Sequence, residues 1–236
     1  MSTPLTDGIN ALTAYANETT GASDTTLSDA VGRLCEGYGG GDIISEMARG
    51  DDLLYGEDIV FDSDVETIGA FAFYCKDIAS ASGDGVKLIK SYGFARNTGA
   101  PNGIGILVDF HPDFPNLETT EQYVFGYKDF GGKAIVCNAI LVGGSLCEGG
   151  KNLPSIKYTR ANTIGSDQVY GVSSVTQIII NSTPQSISNI AFRNANALVD
   201  IYVPWSEGEV AGAPWGAKNA TIHYNTTFDE NGDPIV

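Results

Sequence analysis

The chain has 236 residues, with 13 Lys and Arg against 29 Asp and Glu, a formal charge of −16. Hydrophobic residues make up 42% and charged residues 18%, which excludes a disordered acidic tail and leaves enough apolar side chain for a sizeable core. So large an acidic excess repels phosphate backbones and anionic lipid, and argues against nucleic-acid and membrane partners.

Glycine, at 29 residues, exceeds its usual share and points to many turns and short strands. The start, Met1-Ser2-Thr3-Pro4-Leu5-Thr6-Asp7, has neither the basic nor the apolar region of a secretory signal. No apolar run reaches the roughly 18 residues that a membrane span needs. Cys35, Cys75, Cys137 and Cys147 are too sparse for a disulfide scaffold and form no Cys-x-x-Cys pair, so they read as reduced, mostly buried thiols of a chain made in a cytoplasm.

The first forty residues predict a helical hairpin. Ile9, Leu12, Tyr15 and Ala16 share one helical face, and Thr19-Thr20-Gly21 ends that run. Asp24 is placed as the N-cap of a second helix carrying Leu27, Ala30, Val31 and Leu34, with Gly37 to stop it. Two helices this short need a partner for their apolar stripes. Ile9, Leu12, Tyr15, Leu27, Val31 and Leu34 are therefore the expected attachment and self-association residues. Gly39-Gly40-Gly41 follows as a joint, so residues 1–41 form an attachment module and 42–236 the body.

From about residue 59 the body repeats internally. With Phe73, Phe94, Leu146, Val169 and Phe192 as anchors, an aliphatic residue stands five places earlier each time: Ile68, Ile89, Leu141, Ile164 and Ile187. Leu153 with Ile156, Val175 with Ile178, and Leu198 with Ile201 add downstream pairs. Apart from a gap of 52 between Phe94 and Leu146, the anchors stand 21 to 23 residues apart, which fits a unit that cannot bury its apolar face alone and must stack on its neighbours, a solenoid. Ile178-Ile179-Ile180 and Ile201-Tyr202-Val203 read as parallel strands, the second ended by Pro204. Residues 100–137 depart from the pattern; Asp109 to Pro115 read as an inserted loop. Trp205 and Trp215 supply large apolar area just past the last strong repeat, so residues 205–236 are expected to cap the core, with a carbohydrate-stacking platform as the functional alternative for the two rings. The expected class is α+β and β-rich: a helical hairpin, an irregular leucine-rich-repeat-like solenoid and a C-terminal cap.

Val65-Glu66-Thr67-Ile68-Gly69-Ala70-Phe71-Ala72-Phe73-Tyr74-Cys75 resembles the unit of BspA-type leucine-rich repeats, as do the segments from Thr163 to Thr176 and from Ser186 to Pro204. Residues Ile9 to Glu18 and Thr25 to Val31 look like N-termini of structural proteins from phages of Gram-positive hosts. Tyr202 to Ala217 is similar to the ends of repeat-bearing proteins in those phages. These resemblances imply a tail, baseplate or capsid-fibre component with virion localisation and other virion proteins as partners. They also imply a homo-oligomer, guessed as a trimer.

No catalytic, cofactor or metal set stands out. His111 and His223 are far apart and lack ligand spacing. Alternate residues Asp109, His111 and Asp113 would share a strand face, which a hydrated loop explains better than a divalent-cation site. There is no Gly-x-Ser-x-Gly elbow and no P-loop. Glu118 with Glu121, or Asp51 with Asp52, could be offered as a glycosidase pair but read as solvated acidic surface. Asp229-Glu230-Asn231-Gly232-Asp233 is a turn. Three classes therefore compete: a non-enzymatic virion structural protein is the leading expectation, an adhesin for a host surface or glycan is the alternative, and the lack of a convergent His, Cys, Asp and Glu set weighs against a depolymerase.

Overall fold

The computed structural model describes residues 58–74, 78–96 and 110–235. In chain order its first seven strands are β1 (Asp58–Val60), β2 (Thr67–Ile68), β3 (Ser80–Ser82), β4 (Leu88–Ile89), β5 (His111–Asp113), β6 (Thr119–Thr120) and β7 (Ile135–Cys137). The rest are β8 (Leu141–Val142), β9 (Ser155–Tyr158), β10 (Thr163–Ile164), β11 (Gln177–Ile180), β12 (Ser186–Ile187), β13 (Asp200–Tyr202) and β14 (Thr221–His223).

Every pairing between these strands is parallel and joins one coil to the next. One sheet stacks β2-β4-β6-β8-β10-β12. A second face is built from β1-β3-β5 and continues as β7-β9-β11-β13-β14. The chain therefore winds as a flattened β-solenoid with its core between the two faces. The expected α+β class is corrected: the described residues contain strands and turns and no α-helix, because each unit is too short to hold a helix between its two strands. The hairpin expected over residues 1–38, with Ile9, Leu12, Tyr15, Leu27, Val31 and Leu34, lies outside the described residues, as does the glycine joint.

Register places like on like. Ile68, Ile89, Thr120, Val142, Ile164 and Ile187 form one inward column, all buried. Ile135, Ile156, Ile178 and Ile201 form another. The residues expected to make one stacked core (Ile164, Val169, Val175, Ile178, Ile187, Phe192, Leu198 and Ile201) all belong to a single buried cluster. Toward the N-terminal end phenylalanine replaces aliphatic packing: Phe73 and Phe94 stack at 5.1 Å, and Phe110 and Phe125 pack on Phe94 at 5.6 and 6.0 Å.

Two details of the repeat differ from the sequence reading. Leu141 is 48% exposed and Val142 takes the inward place, with Cys147 in the anchor's backbone position although Leu146 is buried too. A one-residue slip on a strand reverses the face, so an apolar Leu-Val pair cannot show which residue points in. The stretch read as an insertion contains β5, β6 and β7. Pro112 is buried at the centre of β5, and Thr120 with Phe125 supplies a further coil.

The coils approach closely at glycines. A Cβ on Gly143 would lie 2.2 Å from the Glu121 carbonyl oxygen, and one on Gly165 would lie 2.7 Å from the Gly143 carbonyl carbon. At the C-terminal end, Trp215 packs edge-on to Phe192 at 6.5 Å and to Trp205 at 6.3 Å. The chain then folds back as a hairpin, with Asp229 N donating to Asp233 O, across the outward side of the second face. There Lys157 Nζ donates to Asn231 O at 2.9 Å and pairs with Asp233 at 2.5 Å, while Asn181 Nδ2 donates to Gly232 O at 3.0 Å. Ile179, on the same outward row, is 2% exposed.

Candidate functional site: an aromatic edge of the solenoid

Three residues after each of the first five inward residues of the first face, the chain turns a corner in the left-handed backbone region. Phe71, Tyr92, Tyr123, Ser145 and Asp167 have φ of 55 to 59°. Each corner N–H donates to the following coil: Phe71 to Ser91 O, Tyr92 to Gln122 O, Tyr123 to Gly144 O, Ser145 to Ser166 O and Asp167 to Ile190 O. The corners are thus in register along the solenoid, and so are their side chains.

In the first three coils this produces a ladder of rings. Phe71 stacks on Tyr92 at 4.9 Å and 7°, and Tyr92 on Tyr123 at 4.9 Å and 3°. Tyr74 closes on Phe71 and Tyr92 edge-on, at 5.4 and 6.1 Å. Phe71 is 36% exposed, and Tyr74, Tyr92 and Tyr123 are half-buried. A bulky aromatic in this backbone region costs on the order of 1–3 kcal/mol. Stacking offsets about 0.5–1.5 kcal/mol of that per pair. The coil itself needs no ring at the corner, because Ser145 and Asp167 fill the same place without one.

Polar groups continue the edge. Tyr127, also at positive φ, donates its hydroxyl to Glu148 Oε1 at 3.2 Å. Arg193 forks onto Asp167, Nη2 to Oδ2 at 3.1 Å with Nε on Oδ1, and its guanidinium lies 5.4 Å from the centre of the Tyr170 ring. Burial, then the Tyr123 phenol and the Glu148 carboxylate, push the Tyr92 phenol above its ordinary value. Burial, followed by Glu148, does the same to Tyr127. These two hydroxyls are protonated at neutral pH and able both to donate and to accept. The edge is a preorganised row of rings and hydroxyls ending in a fixed carboxylate–guanidinium pair.

The residues singled out in the sequence fall elsewhere. Trp205 and Trp215 are 3% and 0% exposed, with the Trp215 Nε1 donating to Ala211 O at 2.9 Å, so neither offers a face for stacking on a ligand. His111 is exposed on β5, and His223 on β14 pairs with Asp200 at 2.7 Å and stacks on Tyr202 at 4.4 Å. Among the described residues no group of three His, Cys, Asp or Glu is placed to hold a metal ion. Cys137 and Cys147 are buried free thiols, Cys137 pushed up by that burial to about 11 and Cys147 well above its ordinary value. Sequence reading missed the edge. Its signal was the spacing from Ile68 to Phe71, Ile89 to Tyr92 and Thr120 to Tyr123.

The fold is a parallel β-solenoid of short coils. Residues 138–210 match the model of the BspA type leucine rich repeat region, in six copies. No curated protein matches the chain. Among solved structures, the crystal structure of the pneumococcal vaccine antigen PcpA is similar at 19% identity, over 71% of this chain, with a TM-score of 0.48. The match spans 42% of the PcpA chain, less than half its length.

Proposed function

We propose that the protein is a non-enzymatic recognition scaffold, a solenoid that presents its aromatic edge to a receptor on a cell surface. The ladder Phe71–Tyr92–Tyr123 carries this reading: three rings are held in a costly backbone conformation where the coil requires none. Tyrosine gives large contact area at small loss of side-chain freedom, and a pre-stacked ring has little freedom left to lose. The edge carboxylates accept from Tyr127 and Arg193, an arrangement that fixes a surface rather than poising a base. In the test, fluorescently labelled protein is incubated with a panel of intact Gram-positive bacteria and cultured animal cells. Saturable binding to at least one, lost in a Phe71→Ser/Tyr92→Ser/Tyr123→Ser variant, supports the reading. Turnover of a cell-surface polysaccharide that one Asp or Glu substitution abolishes would overturn it.

A finer placement, as a tail, baseplate or capsid-fibre component of a phage virion, is favoured by the resemblance of Tyr202 to Ala217 to the ends of repeat-bearing phage proteins. Its partners would be other virion proteins and copies of itself, a trimer being the expected state. Immunogold labelling of purified particles with antibody against this chain tests that placement; particles that carry no label exclude it.

A further inference from the structure

We infer that the ligand of the aromatic edge is a linear, neutral polysaccharide lying along the solenoid axis. This rests on the recognition reading above and gives its receptor a chemical class. Four observations lead to it. First, the corner N–H groups of Phe71, Tyr92 and Tyr123 are already spent on the following coil, so an extended peptide finds no free ladder there to join. Recognition must come from side chains. Second, the side chains on offer are ring edges, the hydroxyls of Tyr92 and Tyr123 and, beyond them, of Tyr127, the Glu148 acceptor and the Arg193 donor. A pyranose presents the complementary set, C–H surface for the rings and hydroxyls that donate and accept along its rim. Third, the net charge of −16 repels an acidic polymer. A neutral polyol pays no such penalty. Fourth, the rungs recur at a constant 4.9 Å along one line, so a polymer of identical units would meet similar chemistry at successive rungs.

The test uses the full chain and hexamers of β-1,4-linked glucose, β-1,4-linked N-acetylglucosamine and β-1,3-linked glucose, with polygalacturonate as the acidic control. Calorimetry should show binding to at least one neutral hexamer, weaker for its monosaccharide and undetectable for polygalacturonate. The Tyr92→Phe/Tyr123→Phe variant keeps both rings and the stack while removing only hydroxyls; its affinity should fall about tenfold, as expected for two lost hydrogen bonds, with no change in melting temperature. Equal affinity for monosaccharide and hexamer, or an unchanged affinity in the double variant, overturns the inference. If the protein binds cells through the edge but no hexamer competes, and protease treatment of the cells abolishes binding, the polysaccharide falls while the recognition reading stands. If no cell binds, both fall.

Discussion

The ring of Tyr92 lies parallel to that of Tyr123, centroids 4.9 Å apart with 3° between the planes, although the two residues belong to successive coils. Their corner backbones are also superposed, since Tyr92 N donates to Gln122 O. Replacing both by serine, the residue that occupies the same corner at Ser145, should relieve backbone strain while losing the stack. Net stability should move by no more than about 1 kcal/mol. Cell binding should be lost. Chemical denaturation and a binding isotherm on the same sample check both halves.

Close contact between coils sets a second expectation. Gly143→Ala should destabilise by about 1–3 kcal/mol, because the added methyl meets the Glu121 carbonyl rather than a movable side chain. Gly126→Ala should stay within about 0.5 kcal/mol, because the added Cβ would lie an ordinary 3.5 Å from its nearest neighbour, the Tyr123 carbonyl oxygen. Urea midpoints of the two variants discriminate them.

Phe192 is fully buried against Trp215 at the last strong repeat. Phe192→Ala should cost about 3–5 kcal/mol, the usual penalty for removing a buried ring and leaving its cavity. Equilibrium unfolding measures it, and a loss below about 1 kcal/mol would mean that the C-terminal end is loosely packed.

Alkaline pH should unfold the protein. Folded Cys137 titrates at about 11 against an ordinary 9.0, and burial also raises Cys147 and Tyr158 well above their ordinary values. These groups stay protonated in the folded state where the unfolded chain has begun to ionise. Their contribution is complete below pH 9 and is lost as pH rises toward 11, at roughly 1.4 kcal/mol per pH unit for one group. Melting temperature should be flat from pH 7 to 8.5 and fall from 9 to 11. A flat profile to pH 11 would contradict the burial of these groups.

The C-terminal hairpin should shield the outward row of the second face. Deleting residues 227–236 removes the partners of Lys157 and Asn181 and uncovers Ile179. Binding of a hydrophobic dye should increase, with a drop of only a few degrees in melting temperature, since the inward columns are untouched.

Much of the solenoid was legible in the sequence. Ile68, Ile89, Ile164 and Ile187, five places before Phe73, Phe94, Val169 and Phe192, occupy the inward positions that the repeat assigned them. The coil built on Thr120 and Phe125 was hidden because a threonine stands in the aliphatic column, where its hydroxyl accepts from Gly143 N at 3.1 Å. β5 was hidden by Pro112, a residue that signals a break yet sits buried at mid-strand. The aromatic edge was hidden for a different reason. Aromatic residues are poor candidates for a left-handed corner, so Phe71, Tyr92 and Tyr123 drew no reading of their own beside the anchors Phe73 and Phe94, while the structure places them at the corners. Trp205 and Trp215, read as covering the end of the core with a ligand platform as the alternative, lie inside and leave no face for a ligand.

Hydroxyl-radical footprinting of the protein on and off a cell to which it binds locates the contact directly. The expected result is protection of Phe71, Tyr92, Tyr123 and Tyr127 on the cell, with Val136 and Leu141 on the two sheet faces oxidised equally in both states. Protection of Val136 or Leu141 with the four edge rings unchanged would place recognition on a sheet face and contradict the assignment of the aromatic edge.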